Sequence, residues 1–148
     1  MKKNHLLVAI PATIAMLVSC MQHSESQSVQ ISERPITSIS LMGSDTIWNA
    51  GVQPNTPGQI CAKEWLIQNT GADTLVIDSV IPSCESIELI YESSKPVTPM
   101  AYFPVRALLQ AEGTVGHFFH EIKLYGNFEG SPLTLGIEGE YMSFEEQD

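Results

Sequence analysis

The chain has 148 residues, of which 43% are hydrophobic and 16% charged, with 17 acidic against seven basic side chains and a formal net charge of −10. So acidic a chain repels nucleic acid and anionic lipid headgroups, and neither is an expected ligand. The length suits one domain of ordinary size with its own core.

The first element is a leader at 1–19. Lys2 and Lys3 supply a positive start, and Leu6 to Val18 is a mostly apolar run interrupted by Pro11. Such a run has the length of a signal-peptide apolar region and falls short of the roughly 20 residues of a membrane span. It ends Leu17-Val18-Ser19-Cys20, which resembles the lipobox of bacterial lipoproteins. The resemblance implies that the Cys20 thiol receives a diacylglyceryl group, that the leader is removed, and that the new amine is acylated. Two or more acyl chains hold stably, since each buried methylene contributes about 0.8 kcal/mol. Met21 stands where an aspartate would retain a lipoprotein at the inner membrane, so the outer membrane is the expected address, in either leaflet. Met21 to Ser32 is polar, rich in Ser and Gln, and without apolar period. It reads as a flexible tether, closed by Glu33, Arg34 and Pro35, so that 20–35 links lipid to domain.

From Ile36 to Ser143 the chain reads as strands. Ile39 and Leu41 alternate, and Thr46-Ile47-Trp48 is expected to continue that first strand past Gly43. Asn49 to Gly58, with Pro54 and Pro57, reads as a turn-rich loop. Ile60 to Gln68 places Trp65, Ile67, Cys61 and Lys63 on one face and Leu66 on the other. Asn69 to Asp73 reads as a hairpin loop in which Asn and Gly accept positive φ. Leu75 to Ile81 and Ile87 to Tyr91 follow, then a connection over Ser93 to Pro99. Tyr102 to Leu109 contains Pro104, which argues for an edge position or a bulge. Phe118 to Tyr125 and Leu133 to Tyr141 end the domain, and 144–148 is an acidic tail. About seven short strands separated by Gly, Pro and Asn clusters indicate an all-β sandwich or barrel, and the length and one-faced strands favour a sandwich.

Lipid at Cys20 leaves Cys61 and Cys84, either a disulfide closing a loop of about 23 residues, worth roughly 3 kcal/mol, or two separate buried thiols. His117 reads as a turn residue and His120 as a surface residue. Three apart on a strand, they point to opposite faces and cannot chelate one ion together, so no metal site is expected. Glu138 and Glu140 share the wetted row opposite Leu135, Ile137 and Gly139, an arrangement that strand alternation explains without a glycosidase pair. No nucleophile elbow or phosphate-cradling loop is present, so neither catalysis nor a cofactor is expected. Trp48, Tyr91, Tyr102 and Phe128 are the aromatics expected to stack on a ligand or meet a partner, with Tyr125 a further candidate. Phe118 and Phe119 are adjacent, so one of them lies outside or at an edge.

The motif Trp65-x-Ile67-x-Asn69-x-Gly71, followed by Leu75-Val76-Ile77-x-x-Val80 and Pro82-Ser83-Cys84, resembles a bacterial family of immunoglobulin-like domains without assigned function, common in Gram-negative envelope lipoproteins. The likeness resumes at Pro96-Val97-x-Pro99, Gly116-His117-Phe118-Phe119-x-x-Ile122 and Leu133-x-Leu135-x-Ile137-x-Gly139, and so covers Ile60 to Tyr141. It implies an immunoglobulin-like β-sandwich and an envelope setting. The family's Ser-Cys-Gly-Cys is here Ser83-Cys84-Glu85-Ser86, which removes the second cysteine and any chemistry that needed it. The expected function is that of a membrane-anchored, non-enzymatic interaction or scaffold module for another envelope protein. A carbohydrate-binding module, which needs coplanar exposed aromatics, is the alternative. Thiol redox through Cys84, which needs a cation or helix end beside the sulfur, is a third reading.

Overall fold

The computed structural model describes residues 33–43 and 45–143. The leader, Cys20, the tether up to Ser32 and the tail at 144–148 lie outside the described residues. Eight strands follow in order: β1 Ile39–Leu41, β2 Ile47–Pro54, β3 Ile60–Asn69, β4 Ile77–Pro82, β5 Ile87–Ile90, β6 Tyr102–Gln110, β7 Gly116–Gly126 and β8 Leu133–Met142. They form two four-stranded sheets, ordered β1-β3-β6-β5 and β2-β8-β7-β4. With β2 set aside, this is the four-plus-three arrangement of a constant-type immunoglobulin sandwich.

The alternation read in the sequence builds the core. Trp65 and Ile67 of β3, Phe103, Val105 and Leu109 of β6, Ile122 and Leu124 of β7, and Leu135 and Ile137 of β8 are buried between the sheets. On β6, and on β7 from Ile122 to Tyr125, buried positions alternate with more exposed ones, as a one-faced antiparallel sheet requires. Three polar residues, Thr37, Gln68 and Asn69, are drawn inside, Asn69 the furthest. Asn69 is fully buried and accepts from the Thr37 hydroxyl at 2.8 Å and the Gly71 N–H at 3.2 Å. Its amide donates to the carbonyls of Asp73 at 2.8 Å and Val97 at 2.9 Å, so all its capacity is used. This corrects the expected role of the Asn-x-Gly segment, since neither Asn69 nor Gly71 has positive φ. Gly71 is needed for close approach: a Cβ there would strike the Thr37 hydroxyl and lie 2.5 Å from the Ser38 nitrogen.

The strand count rises from about seven to eight because the expected first strand is two. β1 pairs antiparallel with β3, and β2 crosses to the other sheet and pairs parallel with β8. The segment read as a loop from Asn49 is therefore strand as far as Pro54, with a register shift between Asn49 and Val52. Its proline stands at the end of an edge strand, where a missing N–H is tolerated. Pro104 is resolved differently from the expectation of an edge strand or bulge. β6 lies between β3 and β5 with continuous register. The Leu66 carbonyl accepts from Met42 at 2.9 Å on the β1 side, so Leu66 and Pro104 form a non-hydrogen-bonded pair. The proline nitrogen thus faces the β5 side, where pairing has already ended at Ile90 and Arg106.

The last tether residues are tied to the sandwich. Arg34 grips Asp78 through both carboxylate oxygens at 2.8 and 2.7 Å, and Asn127 donates to the Pro35 carbonyl at 2.7 Å.

Candidate functional site

The outer face of the second sheet carries a groove of about 570 Å³ where β2, β8 and β7 run side by side. Gly51 and Gly139 are among the residues that line it, together with Phe119, Glu138 and Glu140. Gly136 is buried under Ile47 of β2 and Phe119 of β7, whose side-chain atoms would lie 3.1–3.2 Å from a Cβ built there. With no side chain between them, these two apolar groups close over the strand, yet Phe119 remains 53% exposed and Ile47 49%. Val52, 55% exposed, extends the apolar strip along β2. At Gly139 the approach is tighter: a Cβ would meet the Phe118 ring at 2.6 Å and the Gly51 carbonyl at 2.7 Å. The bulged part of β2 thus lies directly against β8. Glu138 and Glu140 stand on β8, cross-strand from Phe119 and His117 respectively. Asn49 donates to Glu138 at 3.2 Å and accepts from the Gly51 N–H at 2.7 Å, which fixes one carboxylate beside the aromatic ring. An aromatic face next to two carboxylates favours a cation with an apolar stem.

Phe118, the inward neighbour of Phe119, connects this groove to a polar cluster at the same end of β7. Its ring stacks on Tyr141 at 4.5 Å and on His120 at 5.6 Å. His120 Nδ1 is 3.3 Å from Cys84 Sγ, which is 2.9 Å from the Ser86 hydroxyl. Burial pushes the Cys61 thiol up. Burial first, then the nearby Cys61, Glu112 and Cys84, pushes the Tyr141 hydroxyl up to about 12. These groups sit near one another without forming a metal cage: among the described residues no group of three or more His, Cys, Asp or Glu is placed to hold an ion.

The structure disperses the aromatics expected to form a contact surface. Phe128 is buried in the core, and Trp48 and Tyr91 are half-buried against it, with Tyr91 packed on Phe103 at 6.3 Å. Only Tyr102, on the other sheet, is well exposed among those four. They form no coplanar platform, which corrects the stacking-site expectation; an aromatic counts as a platform only if its strand parity points outward. Cys61 and Cys84 are both free thiols in the structure. His117 and His120 both lie on β7, and His120 is half-buried against Phe118 instead of at the surface. Phe119 is the exposed member of the adjacent phenylalanines, as one of the pair had to be. The sequence left open which of the two it is; parity separates them, since Phe118 shares its face with the buried Ile122 and Leu124. The Cys84–His120 contact joins residues 36 apart and had no local signal.

Comparison with solved structures gives the fold a wider setting. A protein of unknown function from Porphyromonas gingivalis W83 superimposes with a TM-score of 0.60 at 16% identity, over 77% of this chain and 51% of that one. A family 123 glycoside hydrolase from Clostridium perfringens matches with a TM-score of 0.56 at 8% identity, over 75% and 28%. The VesB protease of Vibrio cholerae matches with 0.54 at 13% identity, over 72% and 32%. The chain therefore spans about half or less of each of these proteins, and at such identities the likeness is one of fold. No curated protein matches. The model of a family described as protein of unknown function, DUF1573, matches residues 52–141, which reach from the bulge of β2 almost to the end of β8. The chain, with β7 wholly and β8 almost wholly inside that span, belongs to the DUF1573 family.

Proposed function

We propose that this chain is a membrane-anchored, non-enzymatic interaction module that docks an extended basic segment of another envelope protein in the groove of β2, β8 and β7. The observation that carries this reading is the exposed Phe119 lining the groove with Glu138 and Glu140, its ring extended beyond the groove by Ile47 over Gly136. A lysine or arginine side chain lays its stem on the aromatic and its charge against the carboxylates. The chain's net charge of −10 favours the approach of such a segment. The lipobox-like run ending at Cys20 supports anchoring, and the lack of any nucleophile elbow or phosphate loop in the sequence supports a role without catalysis.

The test uses synthetic extended peptides in which lysine or arginine alternates with apolar residues, with acidic counterparts as controls. Fluorescence anisotropy is expected to register binding of the basic set, weakened by salt. Phe119→Ser and the double variant Glu138→Gln/Glu140→Gln are each expected to lower affinity about tenfold or more. Equal binding of basic and acidic peptides, or binding that ignores both variants, sinks the docking reading. Anchoring is checked separately, by fractionation and intact mass: Cys20→Ala is expected to release the protein from the membrane fraction and to abolish the acyl mass increment.

A further inference from the structure

Two thiols lie half-buried at one end of the sandwich, and their surroundings differ. Cys61, on β3, packs against the apolar core, and burial pushes its thiol up. Cys84, in the segment between β4 and β5, has an imidazole nitrogen 3.3 Å away and a hydroxyl 2.9 Å away. His120 is not free to swing, because its ring stacks on Phe118 with planes 23° apart. A thiol with an imidazole nitrogen on one side and a hydroxyl on the other has a partner in place to take its proton when the sulfur attacks. The segment 82–88 around it carries Glu85 and Glu88 and no lysine or arginine.

We propose that Cys84 is a modification site that exchanges with small cationic disulfides of the aminothiol class, with His120 as the proton acceptor. In this step the Cys84 S–H bond breaks and its proton moves to His120 Nδ1, in the tautomer that carries its own proton on Nε2. The Sγ electron pair attacks the near sulfur of the disulfide, forming a Cys84–sulfur bond as the original S–S bond breaks. The departing thiolate takes the proton from the imidazolium and leaves as the free thiol. Cys84 is thereby oxidised to a mixed disulfide, and half of the incoming disulfide is reduced. Ser86 donates its hydroxyl hydrogen to Sγ as negative charge develops there. The acidic surroundings select among disulfides: a cationic one is drawn in and an anionic one repelled. The site adjoins the docking groove through Phe118, but the assignment does not rest on the docking reading, and either stands without the other.

The experiment exposes the full chain to cystamine, hydroxyethyl disulfide or glutathione disulfide, with time points quenched and mapped by peptide mass to Cys20, Cys61 or Cys84. The expected result is an adduct on Cys84 that outpaces Cys61 by at least tenfold, fastest with the cationic probe and slowest with the anionic one. His120→Gln retains a polar contact to the sulfur but cannot accept its proton, and is expected to slow Cys84 by at least tenfold, within the range of a positioned base. Cys61 in the same molecules reports on the fold: its rate should not change. Adducts forming on Cys61 as fast as on Cys84 in the wild-type chain overturn the proposal without recourse to any variant. So does a His120→Gln chain in which Cys84 reacts at the wild-type rate, or in which both thiols speed up together.

Discussion

At the scale of single residues, Asn69 shows how one buried amide can hold several segments. It joins the start of the domain at Thr37, the turn after β3 at Gly71 and Asp73, and the connection at Val97. Asn69→Ala leaves these partners buried without a substitute, and a loss of about 3 kcal/mol in urea denaturation is expected. Gly71→Ala introduces a methyl group against Thr37 and the Ser38 nitrogen, with an expected cost of about 2 kcal/mol. The two losses should be less than additive when combined, because both dislodge Thr37. The residues Asn69 and Gly71 stood out in the sequence, but their work did not. A hairpin reading asks only for local backbone freedom, whereas the contact that uses them comes from Thr37 and Ser38, more than thirty positions earlier.

At the scale of elements, β2 is the strand on which the groove depends and the one least visible in the sequence. Its residues alternate poorly, because the bulge at Ala50 and Gly51 breaks the period of two, and Pro54 and Pro57 imitate a loop. By contrast β3 and β8 bury the residues expected of their inward rows, Trp65 and Ile67 on one and Leu135 and Ile137 on the other. The closeness of β2 to β8 gives a paired prediction. Gly139→Ala places a methyl group 2.6 Å from Phe118 and 2.7 Å from the Gly51 carbonyl, so backbone must move, at an expected cost on the order of 2 kcal/mol. At Gly136→Ala the nearest atoms belong to the side chains of Phe119 and Ile47, which lie at the surface and can shift, and the change should cost within about 0.5 kcal/mol. Chemical denaturation of the two variants side by side checks this. Equal losses would contradict the described packing of β2 on β8.

At the scale of the whole molecule, the sandwich's two layers were legible because one-faced strands of this length leave few alternatives, but the pairing of distant groups was not. The cluster at Tyr141 is such a pairing, and it makes stability depend on alkaline pH. Tyr141 is pushed up to about 12 from 10.0, so the fold holds its proton more tightly than the unfolded chain does. The resulting stabilisation is complete below pH 10 and is lost as pH rises toward 12. Tyr141→Phe keeps the ring on Phe118 and removes the titrating group. Between pH 8 and pH 10 the two proteins should differ by a constant amount. Above pH 10 the wild type should lose stability faster, by on the order of 1–2 kcal/mol at the upper end. Urea midpoints measured across this range test it, and parallel curves throughout would remove the assignment to Tyr141.

The crossing of β2 to the second sheet also has a mechanical consequence. Because β2 runs parallel to β8, a pull between the beginning of one and the end of the other drags the strands lengthwise past each other. A ladder loaded in that direction shares force over all its bonds, from Ile47 beside Gly136 to Pro54 beside Met142, instead of parting one bond at a time. Forced opening is governed by the rate of that collective rupture. A sandwich gripped at those two points would hold as a rivet plate does, by resistance to sliding.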